Sequence, residues 1–498
     1  MGGFPPTPEQ ADIVDAAVAR QNLVVSACAG TGKTATLEMI AGHIAPRQGT
    51  FIAFGRDIAA EARSRFPSNV VCKTAHAFAL AATPTPLKER FFAKRGAHHG
   101  KDVARILGIT DGYRSEAIDL SPNQLGMLAR EMKSWFCKSD SRDMVWQHLH
   151  PEALPGGCDA KEREHLGRML LPWAKKIWSD TQSPNGVFKY SFEDYLKRYQ
   201  LSSPRLPGDI ILFDEAQDAS RVIADIVRQQ TNAQKIFVGD EMQAIMGFTG
   251  AVNAMAGHDG RRLALTQSFR FGPHVAAVAN LFLSMLGADL RVKGFEPIKS
   301  RLTGIAAPDA ILCRSNGGVI GEVMEQLKIG RRVATPGDGA EIRALAQAAM
   351  QLQAGQATEH PELFMFKKWE DVKEHCDTDP SAKGLKVFVK IVDDFGAGAI
   401  MSMTERLVKI GGKRTDPYDV LVTTAHKSKG LQFPKVRIGD DFPAPSEDPD
   451  DEFDDAELML AYVAVTRAQH ELSIGSLGWV LCPPPTPTPQ ERNEIQFA

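Results

Sequence analysis

The chain has 498 residues, 43% hydrophobic and 24% charged, with a net charge of -3. That length exceeds what one core organises, so two to four domains are expected, and the composition excludes a disordered or membrane-embedded chain. The near-neutral charge argues against a passive nucleic-acid coat, so any nucleic-acid contact must use local basic patches or a groove.

No apolar run is long enough to cross a bilayer, and the opening MGGFPPTPEQ lacks a secretory pattern. The seven cysteines are scattered without a CxxC pair. That argues against a disulfide framework or zinc site and for a reducing, intracellular compartment, cytoplasmic or, in a eukaryote, nuclear.

In chain order, NLVVSACAGTGKTATLEMIAGHI (22–44) reads as an apolar strand, a glycine turn and a helix. FIAF (51–54) and NVVCKT (69–74) read as strands around the helix-like RDIAAEARSRF, the alternation of a parallel sheet with helices on its faces. From about Pro84 to Tyr199 helical periodicity takes over, with Lys, Arg and Trp interleaved. DIILFDEAQD (209–218) and KIFVGDEMQ (235–243) return to the strand–turn pattern. A second α/β unit begins after Phe271, with strands in AILCRS (310–315), DVLVTTAH (419–426), KVRIGDD (435–441) and HELSIGS (470–476). The boundaries expected are 1–85 and 191–270 for the first unit, with a helical insertion at 86–190. The second unit takes 271–340 and 416–480, with a small insertion at 341–415 and a Pro-rich tail at 481–498. The acidic run EDPDDEFDDAE (447–457) reads as a solvated loop before a metal site.

Two segments carry phosphate chemistry. ACAGTGKT (27–34) departs from the phosphate-loop pattern GxxxxGK[ST] only at Ala27. Gly30 and Gly32 let the backbone N–H groups of Ala29, Gly30, Thr31 and Gly32 turn inward on a phosphate. Lys33 reaches the outer phosphates of ATP, and Thr34 offers a hydroxyl to Mg²⁺. DEAQD (214–218) follows the apolar IILF, so Asp214 stands at a strand end to hold the Mg²⁺ shell. Glu215 beside it can orient and deprotonate a water. Roughly 180 residues separate Lys33 from Asp214, more than a few βα units need, which independently supports an insertion.

Four further segments follow in order: KIFVGDEMQAIMGFTGA (235–251), LTQSFRFG (265–272), VTTAHKSKGLQF (422–433) and AYVAVTRAQ (461–469). They resemble the third to sixth motifs of superfamily 1 DNA helicases of the UvrD/Rep kind, and the resemblance runs from Pro8 to about Leu472. AFGRDIAAEARSRFPSNVVCKTAHAFA (53–79) looks closest to the F-box DNA helicase branch, with no F-box-like segment before it in this sequence.

The resemblance implies an α/β fold of two RecA-like P-loop domains in tandem, each with a mostly helical insertion. It implies ATP and Mg²⁺ as cofactors, single-stranded DNA and single-strand/duplex junctions as partners, and 3′→5′ movement. Gln10, in TPEQ, then reads adenine, and Phe269 stacks on it. Gln243 senses the γ-phosphate, and Gly430 and Gln432 lie at the nucleotide. Arg270 and Arg467 act as arginine fingers, with ATP between the two α/β domains. The strand would be held by Phe54, Arg56, Thr74, His76, Phe78 and Phe248 in the first domain and by Thr424, His426 and Lys427 in the second.

Core packing is the competing role for the Phe residues, a structural role for both histidines, and a helix-start role for Gln10. Departures from the family pattern stand at Gly55, Met246, Thr249, Gln432 and Pro434. The tryptophans at 135, 146, 173 and 178 read first as the core of a helical subdomain and second as a nucleic-acid face. A translocase that strips bound proteins and a nucleotide-switched scaffold are the competing functions. RNA is not set apart from DNA by any residue. Neither the pathway nor a protein partner for the insertions or tail is legible.

Overall fold

The computed structural model describes residues 5–116, 118–154, 158–247, 251–378, 383–410, 416–446 and 453–481. Phe248, most of the acidic run and nearly all of the Pro-rich tail lie outside them. Internal contacts divide the chain into two units. The first comprises Met1–Ala27, Gly32–Leu265 and Ala348–Val372; the second comprises Cys28–Thr31, Thr266–Gln347 and Lys373–Ala498. The 341–415 stretch, read from sequence as one insertion, therefore contributes Ala348–Val372 to the first unit and its remainder to the second.

The first unit is built on a six-stranded sheet. Its strands are β1 (Leu23–Ala27), β2 (Gly49–Ala53), β3 (Val70–Thr74), β4 (Ile210–Phe213), β5 (Gln234–Gly239) and β6 (Arg261–Leu265). They lie in the order β6-β1-β5-β4-β2-β3, and every pairing is parallel. Every residue of β2, β4 and β5 is buried, which is why FIA, IILF and IFV within them read as apolar runs without alternation. All strands point the same way, so the loops at their carboxyl ends gather on one edge, where parallel α/β sheets bind ligands.

Between β3 and β4 the chain makes a helical subdomain. Its helices include Gly100–Leu107, Pro122–Lys138 and Ala160–Thr181, packed around Leu128, Met132, Phe136, Leu166 and Leu170. Gly126 lets two of these helices close together. A Cβ there would lie 2.8 Å from the Gly100 carbonyl oxygen and 2.9 Å from the Ala104 nitrogen. Trp146, Trp173 and Trp178 pack against this core, in line with the first of their two sequence readings.

The second unit has its own six-stranded sheet. Its strands are β7 (Arg301–Leu302), β8 (Ala310–Cys313), β9 (Val333–Ala334), β10 (Val420–Thr424), β11 (Phe433–Ile438) and β12 (Ala468–Ser473). Their order is β7-β12-β11-β8-β10-β9, again parallel throughout. Two parallel sheets of this kind give the expected α/β class of tandem RecA-like domains. Among the described residues no helix is long and apolar enough to cross a membrane.

Candidate nucleotide site and strand-binding face

Strand order in the first unit decides which side chains meet. β1, β5 and β4 are neighbours, so their carboxyl ends bring the loop after Ala27, Asp240 after Gly239, and Asp214 after Phe213 to one place. Gly32 (φ 79°) is the left-handed N-cap of helix Lys33–His43, which only glycine adopts without strain. The turn aims Lys33 and Thr34 at Asp214 and Glu215. The Thr34 hydroxyl donates to Asp214 Oδ2 at 2.7 Å, and Lys33 Nζ lies 3.4 Å from Glu215 Oε1. A hydroxyl and a carboxylate in contact are the hard oxygen donors that Mg²⁺ takes, so the pair fits that ion. Burial first, and the neighbouring Glu215 charge second, push the Asp214 carboxyl up from its usual range. A bound divalent cation would oppose that shift.

Glu215 stands at φ 51°, a conformation rare outside glycine and enriched at functional sites. Gln217, which the sequence reading did not single out, holds it there. Gln217 Nε2 donates to Glu215 Oε2 at 2.7 Å and to Asp218 Oδ2 at 2.8 Å, while its Oε1 accepts from the Asp240 nitrogen at 3.1 Å. Asp240 Oδ2 accepts in turn from Gln243 Nε2 at 2.6 Å. Gly239 makes room for this amide: a Cβ there would lie 2.3 Å from Gln217 Oε1. Gln243, the expected γ-phosphate sensor, is thus linked to Glu215 through Asp240 and Gln217. Gln10 caps its own helix with Thr7, and its Nε2 donates to Thr36 Oγ1 at 3.2 Å on the phosphate-loop helix.

On the other side of β4 lie β2 and β3, whose ends carry Phe54 and Thr74. Here a cavity of about 390 Å³ opens, lined among others by Phe54, Thr74, His76, Lys138, Phe192 and Glu215. Phe54 and Phe192 are 52% and 53% exposed at its rim. His76 meets Phe192 edge-on at 5.5 Å, and burial pulls its pKa down, so it is neutral near pH 7. Two of the lining residues carry a buried atom, His76 Nδ1 and Ser220 Oγ, with no hydrogen-bond partner among the described residues.

Of the expected strand contacts, Thr74 lines this cavity with its hydroxyl already in use, while Phe78 and Arg56 are not among the lining residues. The Thr74 hydroxyl caps helix Ala75–Ala82 by accepting from the Ala77 nitrogen at 3.0 Å. Phe78 is buried in the core beneath, the competing role expected for it. Arg56 opens helix Arg56–Arg65 directly after Gly55.

Phe192 is an exposed cavity-lining residue that the sequence reading missed, and its placement has a clear cause. It is the first residue of helix Phe192–Leu201, whose third residue, Asp194, is fully buried. Asp194 accepts from the Ser191 nitrogen and hydroxyl at 2.8 and 2.7 Å and from Lys133 Nζ at 2.8 Å. Burial pulls the Lys133 pKa down, but the Asp194 charge and hydrogen bond, together with Cys137 and Glu193, outweigh it and raise the pKa. The signal was the capping pattern in SFED, which marks a helix start without saying what the helix presents.

In the second unit, motif residues far apart in sequence converge. Arg270 Nε donates to Gln432 Oε1 at 3.2 Å, and its Nη1 donates to the Thr466 carbonyl at 3.2 Å. Arg467 is buried, donating to the carbonyls of Val463 at 2.9 Å and Leu431 at 3.3 Å. Gln432, where the family pattern has Glu, therefore meets Arg270 as a neutral acceptor. Gly430 takes φ 85°, and Phe269 packs 5.4 Å from Phe295. Residues 28–31 of the phosphate loop group with this unit, where the Phe269 nitrogen donates to the Gly30 carbonyl at 2.8 Å. At the end of β10, Thr424 is buried and Lys427 Nζ pairs with Glu341 at 2.5 Å. Burial first and Arg314 second pull the His426 pKa down to about 4.

Comparison with known proteins agrees with this arrangement. Residues 10–249 match an AAA domain family, and residues 365–477 match the UvrD-like helicase C-terminal domain. The chain is 26% identical to F-box DNA helicase protein 1 of Schizosaccharomyces pombe, over 90% of this chain and 55% of that protein. It is 28% identical to F-box DNA helicase 1 of Gallus gallus, over 93% of this chain and 48% of that protein. The chain thus spans about half the length of these curated relatives. With both domains matched and the motif residues gathered as described, the chain is similar to UvrD-like helicases, and these two relatives are F-box DNA helicases.

Proposed function

We propose that this protein is an ATP-dependent DNA helicase that moves 3′→5′ along single-stranded DNA and opens duplex ahead of it. One observation carries the reading. Glu215 is paired with Lys33 of the phosphate loop and also lines the cavity that holds Phe54, His76 and Phe192. The residue best placed to activate water thus borders both the nucleotide side and the strand side of one sheet edge.

In this reading the phosphates of ATP take over Lys33 and release Glu215 from its ion pair. Glu215 then accepts a proton from the attacking water, and Gln217 keeps its carboxylate aimed. Thr34 and Asp214 would hold Mg²⁺, which supplies neutralisation of phosphate charge when bound. Arg270 and Arg467 supply forked guanidinium groups for charge that builds on the transferred phosphoryl group. Exposed Phe54 and Phe192 offer sequence-tolerant stacking to bases. The 3′→5′ polarity rests on family resemblance.

The test is steady-state ATP hydrolysis without nucleic acid and with single-stranded DNA or RNA at one fixed ionic strength. Strong stimulation by single-stranded DNA is expected. Equal turnover in all three conditions contradicts a motor and favours a nucleotide-switched scaffold.

A further inference from the structure

The aromatic side chains of the first unit continue beyond the cavity. His76 meets Phe192 at 5.5 Å and Tyr195 at 5.8 Å; Tyr195 meets Phe91 at 5.3 Å, and Phe91 meets Phe92 at 5.3 Å. The series ends on the surface, with Phe92 64% exposed. Phe92 belongs to helix Thr85–Ala93, which is anchored inward by Leu87 and Arg90. Arg90 is used internally, in an ion pair with Asp180 at 3.2 Å and a bond to the Ser183 carbonyl. The outward side is different. Lys88 and Phe92, four residues apart, share a helix face. Lys94 takes the left-handed C-cap (φ 51°) and Arg95 follows it.

Lys94 and Arg95 are exposed; Lys88 is half-buried, its Nζ donating to the Ala81 carbonyl at 2.9 Å, and among the described residues none of the three is in an ion pair. Glu89 is the one carboxylate on this helix, against Lys88, Arg90, Lys94 and Arg95 in and just after it. On a chain whose net charge is -3, this is a local basic patch around a bare aromatic ring. Exposed aromatic faces with flanking cations suit a polyanion that carries stackable bases, because every base has a π-face and every link a phosphate. A protein partner would need a wider apolar patch than one ring.

We infer that the single strand, beyond the cavity, crosses the helix Thr85–Ala93, with a base on Phe92 and phosphates at Lys88, Lys94 and Arg95. This rests on the cavity being the strand site. It enlarges the footprint of that site and assigns the helical subdomain a direct grip on the strand.

The experiment uses the full chain and fluorescence anisotropy with labelled oligothymidylates of about 6 and about 16 nucleotides, the range of single-strand site sizes, at fixed salt. Phe92→Ala should weaken binding of the longer strand roughly 5- to 150-fold, the span for one lost stacking contact, and leave the shorter strand unchanged. Phe92→Trp should restore binding. The double variant Lys88→Gln/Arg95→Gln should flatten the salt dependence of log K by about 1.4, two phosphates' worth for a single strand. Phe54→Ala should weaken both lengths. If Phe92→Ala binds both lengths like wild type while Phe54→Ala is impaired, the track is wrong and the cavity reading stands. Equal loss at both lengths would place Phe92 inside the core site and equally overturn the track. If Phe54→Ala is also unimpaired, the cavity reading itself fails.

Discussion

Glu215 meets three demands at one backbone position: a left-handed conformation, an ion pair with Lys33 and a hydrogen bond from Gln217. Replacing it with Gln keeps the shape and removes the base. Turnover should fall by about 10²–10⁴, the usual worth of a general base, while equilibrium binding of ATP and DNA persists. Near-wild-type hydrolysis in Glu215→Gln would remove it from the mechanism. Gln217 acts through Glu215, so Gln217→Met, which keeps the volume and loses the amide, should lower kcat about tenfold or more with little change in KM for ATP. Gln217→Glu should not rescue it, since a carboxylate there faces Glu215 and Asp218. A rise in KM alone would show that Gln217 serves binding instead of aim.

Arg467→Ala has two expected effects. The first is a large drop in kcat with a smaller change in ATP affinity, because the guanidinium acts on transition-state charge. The second is a lower melting temperature, because Arg467 is buried and satisfies carbonyls of its own unit. Hydrolysis must therefore be measured where the variant is folded. An unaltered kcat there would rule Arg467 out as a catalytic group.

At the scale of elements, the position of Phe192 at the cavity depends on one buried ion pair. Lys133, on the helix Pro122–Lys138, is tied to Asp194, and Asp194 fixes the helix that begins with Phe192. Lys133→Met leaves a buried carboxylate uncompensated and should cost about 3–5 kcal/mol. Lys133→Met with Asp194→Asn keeps the Ser191 cap, removes the charge and should cost less. Denaturant melts compare the two, and a double variant no more stable than the single would show that the pair is not the source of the loss. In the second unit, His426 titrates near 4 when folded and near 6.5 when unfolded. The unfolded chain takes up the proton first, so this group's stability contribution is present above about pH 6.5 and lost as pH falls towards 4. The stability difference between wild type and His426→Gln should shrink across that window, and a pH-independent difference would contradict the assignment.

What was legible follows from how each element signals. The strand–glycine–helix pattern placed Lys33 and Thr34, and an apolar run ending in DE placed Asp214 and Glu215, because backbone geometry there demands specific residue types. Gln217 and Phe192 were not legible, since an amide after DE and an aromatic at a helix start have many structural uses. Their roles appear only when β5 and the helical subdomain bring Asp240 and Lys133 alongside. Phe78 sits in an alternating motif that resembles a strand contact, yet helix geometry turns it into the core. The 341–415 stretch has helical periodicity, but periodicity does not say which unit a helix joins.

For the whole molecule, the central claim is that hydrolysis at Glu215 drives directional movement on a single strand. It is met most directly by strand separation on three substrates of equal duplex length, 3′-tailed, 5′-tailed and blunt, with ATP and Mg²⁺ at one ionic strength. Wild-type protein should open the 3′-tailed substrate, modestly as a monomer, and leave the blunt duplex closed, while Glu215→Gln opens none. Preference for the 5′ tail would contradict the polarity, and opening of any substrate by Glu215→Gln at the wild-type rate would contradict the motor itself.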